Sequence, residues 1–276
     1  MTLPLFLRLP ILCIAVAAVA ACAGKPRTTA APENADPRYS ETVDDGITIP
    51  AVSRGYLTEH NARTVVAYNG PDAPGTVVVD PYARYLYVVA EGGFATRYGI
   101  AVGREGKGFR GDAKIQRKEV WPGWQPTANM LRSEPEIYGP YAAGMPGGLD
   151  NPLGARALYL YRGGKDTRYR IHGTNNASTI GRATSAGCIR LFNQDAIDIF
   201  DRIELGTYVH VRSPEESFAL EGELFEDEIG YLRPVSSYPP EVQEQIRAGI
   251  APWPKYVPII GVNAGAPYIP PVPGSS

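Results

Sequence analysis

Thiols, imidazoles and long apolar runs are all scarce in this chain, and each scarcity removes a class of protein. Among 276 residues there are three cysteines, three histidines, three methionines and three tryptophans. Cys13, Cys22 and Cys188 are too few for a disulfide framework. His60, His172 and His210 are dispersed, so with one thiol in the body of the chain they offer no metal-ligand cluster. Neither a metal nor an organic cofactor is expected. A formal charge of −2 and a pI near 6.0 give no general attraction to nucleic acid, and no nucleic-acid partner is expected. Gly103-Arg104-Glu105-Gly106-Lys107-Gly108 has neither dinucleotide nor Walker spacing and reads as a loop. No internal repeat is visible.

What is present begins with an export segment. Arg8 precedes the apolar run Leu9–Ala21, which is short for a membrane span, rich in alanine and closed by small residues. Ala18-Val19-Ala20 suits ordinary signal peptidase. Val19-Ala20-Ala21-Cys22 resembles a bacterial lipobox, in which Cys22 would be lipidated and would anchor the chain to the membrane. Cys13 would then leave with the signal. Ala23 after Cys22, by resemblance to enteric lipoproteins, favours the outer membrane. Residues 1–22 are thus expected to act as signal peptide and lipobox, and the product to be periplasmic. Residues 23–56 are polar, proline-bearing and aperiodic, and predict a flexible tether.

From about Tyr56 the chain turns β-rich. Thr76–Asp80, Tyr85–Val89 and Ala95–Val102 are runs of β-branched and aromatic residues separated by Asp80-Pro81 and Gly92-Gly93, the pattern of an antiparallel meander. Ala157–Tyr161 and Tyr169–Ile171 continue it, placing His172 just beyond a strand end, and Thr207–Val211 closes it. Ala196, Ile199, Phe200 and Ile203 recur at helical spacing behind Asn193, a candidate cap. The expected body is one domain over 57–213, mainly β with a short helix after Cys188. The remainder, 214–276, is read as an irregular extension: an acidic run from Glu215 to Glu228 on a solvated face, a short helix near Pro240–Ile250, and a proline-rich tail.

One window carries chemistry: Ile171-His172-Gly173-Thr174-Asn175, then Ser185-Ala186-Gly187-Cys188-Ile189-Arg190-Leu191. A thiol attacks as thiolate, and an imidazole is the usual group that deprotonates it near neutral pH. An unpaired cysteine in an oxidising compartment is a liability unless it is used. Cys188 is therefore the candidate nucleophile and His172 its general base. His210 alternates with core-type valines and reads as structural; His60 receives no role. Gly173 permits a tight turn after the strand. Gly187 permits close approach of a reacting carbonyl, with main-chain N–H groups around Gly187 and Cys188 as candidate oxyanion donors. If the stretch is extended, Arg190 projects to the same side as Cys188 and could bind a substrate carboxylate. The turn-rich Met145–Gly148 and Asn151–Gly154 could form a lid or groove wall.

The joined pattern resembles the signature of the L,D-transpeptidase catalytic domain, the YkuD-like family, and Asn151-Pro152-Leu153-Gly154-Ala155-Arg156 is also similar to it. The resemblance covers roughly residues 75–212. The chain departs at Ala186, where many members carry histidine, so a substrate contact made by that histidine is not carried over. The resemblance implies a β-sandwich-like mixed sheet and action on peptidoglycan stem tetrapeptides. In that chemistry the cysteine forms an acyl-enzyme at the third residue and D-alanine leaves. An amine then accepts the acyl group: a second stem, an anchored lipoprotein or a free D-amino acid. It also implies the Gly173 carbonyl or Ser185 as orienter of the imidazole, with Arg190 and Asn175 at the substrate. Two alternatives share these residues: a thiol peptidoglycan hydrolase of carboxypeptidase or amidase type, and a non-catalytic wall-binding lipoprotein.

Overall fold

The computed structural model describes residues 36–103, 110–185, 187–227 and 229–249, the side chains of Thr184 and Ser185 excepted. The readings of residues 1–35, Cys22 among them, of the Gly103–Gly108 loop beyond Gly103, and of the tail from 250 lie outside the described residues. No helix among the described residues is long and apolar enough to cross a membrane.

The strands are β1 (Thr42–Asp44), β2 (Ile47–Ile49), β3 (Thr64–Ala67), β4 (Val77–Asp80), β5 (Tyr85–Ala90), β6 (Phe94–Gly99), β7 (Val102–Gly103), β8 (Ala113–Val120), β9 (Arg156–Arg162), β10 (Lys165–His172), β11 (Ala183–Ser185), β12 (Ile189–Arg190), β13 (Tyr208–Val211), β14 (Leu224–Glu226) and β15 (Leu232–Pro234). The helices are α1 (Ala128–Ser133), α2 (Pro135–Tyr138), α3 (Asn193–Arg202), α4 (Pro214–Glu221) and α5 (Pro240–Arg247).

Nine strands form one mixed sheet in the order β12-β10-β9-β8-β13-β4-β5-β6-β3. Its centre is dictated by Val77-Val78-Val79-Asp80, buried on both faces, the composition of a strand covered on both sides. As the meander predicts, β4, β5 and β6 are antiparallel neighbours, whereas β13 joins β4 in parallel and β8 antiparallel. The sheet curls so that its ends meet. Ala101, just after β6, exchanges both main-chain bonds with Arg190 of β12, at 2.9 Å each way. The enclosed core runs from Val77, Leu86 and Tyr98 to Leu158, Ile171, Ile189 and Leu191, with Ala196, Ile199 and Ile203 of the α3 region packed on it. This is the mainly-β, mixed-sheet architecture expected, with its helix directly after Cys188.

Four expectations need correction. Residues 36–56 are not a free tether: Tyr39 and Ile49 are buried, and the β1–β2 hairpin carries Asp44 to Arg156 (2.7 Å on both nitrogens) and Trp121 Nε1 (2.9 Å). A polar sequence here supplies the counter-charge for a buried guanidinium, which would otherwise cost roughly 3–5 kcal/mol. The described part of 214–276 is not irregular either. A capping box of Ser213 and Glu216 starts α4, and the acidic run is partly consumed by buried cations: Glu221 pairs with Arg212, and Glu226 with Arg84. Asn193 does not cap α3, which starts behind Phe192; its amide is used elsewhere. His172 ends β10 instead of following it.

One mid-sheet strand is not apparent from the sequence. Ala113-Lys114-Ile115-Gln116-Arg117-Lys118-Glu119-Val120 has weak β propensity, yet it is β8 in mid-sheet. Only Ala113 and Ile115 reach the core, and the rest lines a half-open face.

Candidate active site

The site is a product of register. Strands β10 and β12 run parallel with Ile171 opposite Ile189 and His172 opposite Arg190. Side chains alternate, so Ile171, Ile189 and Leu191 enter the core while Arg170, His172, Cys188 and Arg190 share the other face. Continued one residue ahead of β12, that register sets Cys188 across from Arg170. The spacing read from sequence is thus realised as one face of two paired strands.

His172 is buried, and its Nδ1 lies 2.6 Å from the Gly173 carbonyl oxygen. A carbonyl only accepts, so the ring proton sits on Nδ1 and Nε2 keeps its lone pair. Of the two candidate orienters, the Gly173 carbonyl makes this contact; the Ser185 side chain lies outside the described part. Burial first, then the charges of Arg190 and Arg170, push the imidazole down to about 3, against the opposing pull of the Gly173 and Leu153 carbonyls. Burial also raises the Cys188 thiol, while a hydrogen bond from the Arg170 main chain and the charges of Arg170 and Arg190 lower it. Both directions favour a thiol and a neutral imidazole at neutral pH.

Arg190 is half-buried beside Cys188 and Tyr138 of α2, and burial holds its guanidinium below the usual arginine range. Among the described residues no carboxylate pairs with it, whereas Arg170 is held bidentately by Asp166 at 2.7 and 2.8 Å. A cation left without a counter-ion beside the thiol is suited to a substrate carboxylate. Asn175 is exposed and donates to the Asp150 carbonyl at 2.9 Å, tying the loop after His172 to the 121–155 segment. Gly187 has φ +133°, a conformation that favours glycine and leaves no Cβ between a reacting carbonyl and the backbone.

Three supporting side chains were not assigned to the site from sequence. Asn193 Oδ1 accepts from Ala155 N (3.0 Å) and Thr174 N (3.1 Å), and its Nδ2 donates to Thr174 O (2.9 Å). A Cβ on either Gly154 or Gly173 would stand 2.2 Å from that oxygen, which is why both positions are glycine. Asn151 gathers the carbonyls of Pro122 and Pro146 (3.0 and 2.9 Å), closing the neck of the segment that brings Tyr138 towards Arg190. Tyr159, on the same face as Arg170, stacks on its guanidinium at 4.2 Å. The sequence signal for the first was the pair of glycines flanking His172 and Ala155.

The match to known proteins coincides with this site. The family model of the YkuD L,D-transpeptidase catalytic domain matches residues 74–211. The chain belongs to that family. The probable L,D-transpeptidase YbiS of Escherichia coli strain K12 is 33% identical over 171 residues, which are 61% of this chain and 45% of YbiS. The probable L,D-transpeptidase ErfK/SrfK of Salmonella typhimurium is 39% identical over 107 residues, 39% of this chain and 33% of that protein. The chain thus spans less than half the length of these relatives. A Brucella melitensis protein described as a probable carnitine operon oxidoreductase is 46% identical, with TM-score 0.40, covering 56% of this chain and 96% of that one. L,D-transpeptidase 3 of Mycobacterium tuberculosis is 15% identical with TM-score 0.38, covering 50% of this chain and 60% of that one.

Proposed function

We propose that this L,D-transpeptidase family member joins peptidoglycan stem peptides through an acyl-enzyme on Cys188. The observation that carries the reading is His172 at the end of β10 and Cys188 one residue ahead of its parallel partner β12, with the imidazole Nδ1 2.6 Å from the Gly173 carbonyl. His172 Nε2 takes the thiol proton as sulfur attacks the carbonyl of the third stem residue. Main-chain N–H groups around Gly187 and Cys188 are the candidate donors to the oxyanion. The C–N bond to terminal D-alanine breaks, His172 returns the proton to the leaving amine, and a thioester remains. An acceptor amine attacks the thioester and gives up its proton to His172, and the thiol is released. Arg190 holds a carboxylate of the peptide. The acceptor is a second stem, giving a 3→3 cross-link, or an amine of an anchored protein.

The reaction belongs outside the cytoplasm, and the Val19–Cys22 pattern supports an exported lipoprotein anchored through Cys22. Metabolic labelling with a fatty acid, lost in Cys22→Ala, tests that anchor. The mechanism is tested by intact mass spectrometry after incubation with purified tetrapeptide muropeptides and, separately, a carbapenem. A covalent adduct absent from Cys188→Ala is expected, with cross-linked product naming the acceptor. Hydrolysed tripeptide alone would make the protein a hydrolase, and no adduct under either condition would remove the catalytic reading.

A further inference from the structure

Cys188 has a cross-strand partner with no assigned role. The Ile171–Ile189 register sets Arg170 opposite the thiol, whose Sγ lies 4.0 Å from the Arg168 carbonyl. Arg168 has φ +66° and sits in the irregularity of β10 between Asp166 and Arg170, so the strand is locally bent where it meets the nucleophile. The Arg170 side chain is immobilised. Its two terminal nitrogens bond the Asp166 carboxylate, one also donates to the Tyr169 carbonyl at 2.9 Å, and its plane stacks on Tyr159 at 4.2 Å. Arg117 of β8 stacks on the same ring at 4.2 Å, and the Tyr159 hydroxyl donates to Glu119.

We infer that Arg170 is a positioning residue for the nucleophile, held by Asp166 and Tyr159 so that its charge and main-chain N–H favour the Cys188 thiolate. This deepens the thiol mechanism proposed above and rests on Cys188 being the nucleophile. The two arginines of the face divide the work. Arg190 is opposite His172 and disfavours imidazolium, making it a stronger acid towards the leaving amine; Arg170 is opposite Cys188 and stabilises the sulfur anion. Among the described residues, the other charged and titratable groups around the thiol include His172 on β10, Tyr138 of α2 beyond Arg190, and Glu119 and Arg117 of β8 beyond Tyr159. Burial pushes the thiol up, and among the cations Arg170 acts on it more strongly than Arg190.

The test is the pH dependence of Cys188 alkylation by iodoacetamide in the full chain, followed by peptide mass mapping. Arg170→Gln should move the midpoint alkaline by about one unit, a roughly tenfold slower reaction at neutral pH. Arg170→Lys, which restores the charge, should recover most of the shift. Arg117→Gln, two strands further away, should leave the midpoint in place. A midpoint unchanged in Arg170→Gln overturns the inference, as does an equal shift in Arg117→Gln, which would mean a diffuse field. Should Arg170→Gln fail to fold, Tyr159→Leu, which removes the stack, should also shift the midpoint alkaline; an unchanged midpoint there overturns it equally. Alkylation needs no peptidoglycan, so a failed substrate assay and a failed role for Arg170 remain distinguishable.

Discussion

The Nδ1 atom of His172 lies 2.6 Å from the carbonyl oxygen of Gly173, the next residue in the chain. Many catalytic imidazoles are oriented by a separate carboxylate; here a main-chain oxygen fixes the tautomer without adding negative charge beside the ring. Burial and two arginines act against imidazolium and favour the neutral ring.

His172→Asn should preserve this contact, because an asparagine amide can donate to the same carbonyl, while removing the base. Turnover of tetrapeptide should fall roughly 10²–10⁴-fold with the melting temperature little changed. Turnover within a few-fold of the parent would exclude His172 as the proton acceptor.

Arg190→Gln should raise KM for the tetrapeptide more than it lowers kcat, and should leave thermal stability nearly unaltered. The expectation follows from the lack of any carboxylate partner among the described residues, so nothing in the fold loses an ion pair. Roughly tenfold weaker substrate use corresponds to about 1.4 kcal/mol, a modest value for a charge-assisted bond. Parallel losses in melting temperature and activity would mark Arg190 as structural.

Asn193→Ala strands the N–H groups of Ala155 and Thr174, which costs about 1–3 kcal/mol each if both stay dry. Gly173→Ala should be comparably damaging, because the new Cβ would meet Asn193 Oδ1. Urea unfolding of both variants checks this, and midpoints equal to the parent's would show that the loop relaxes around the change.

His60 provides a pH signature of stability away from Cys188. It stacks on Tyr85 at 4.2 Å, and burial with Arg97 and Arg84 pushes it down to about 4. Its folded pKa lies below the unfolded value of about 6.5, so the unfolded chain binds the proton first as acid is added. Its contribution is complete above that value and is lost as pH falls towards 4, up to about 3 kcal/mol. Asp195, raised by burial to about 7, runs the opposite way, so the difference between parent and His60→Phe is the proper measure. The difference in unfolding free energy should grow in the variant's favour between neutral pH and pH 4. A constant difference would show that His60 does not titrate with folding.

Legibility from sequence was uneven, for identifiable reasons. The strands β4, β5, β6 and β9 announce themselves because β-branched and aromatic runs are bounded by turn residues. Strand β8 does not, because its outer half is polar and is stabilised by neighbours on both sides, not by its own composition. Residues 36–56 read as tether by the same logic, since a single buried tyrosine and one aspartate carry little pattern in a linear chain.

The sequence by itself determined which reactive groups are at hand: one body thiol, one histidine in its window, glycines where backbone must turn, and alternation that sends Ile171, Ile189 and Leu191 inward. Those are local properties, set by side-chain type and by a two-residue repeat. Tertiary structure alone decided which partners surround them. Asp44 reaches Arg156 across 112 residues, Asn193 reaches Ala155 across 38, and Arg170 meets Cys188 only because two strands pair in one register. Shifting that pairing by one residue would leave the motif intact in the sequence and put the thiol opposite Ile171, without its cation.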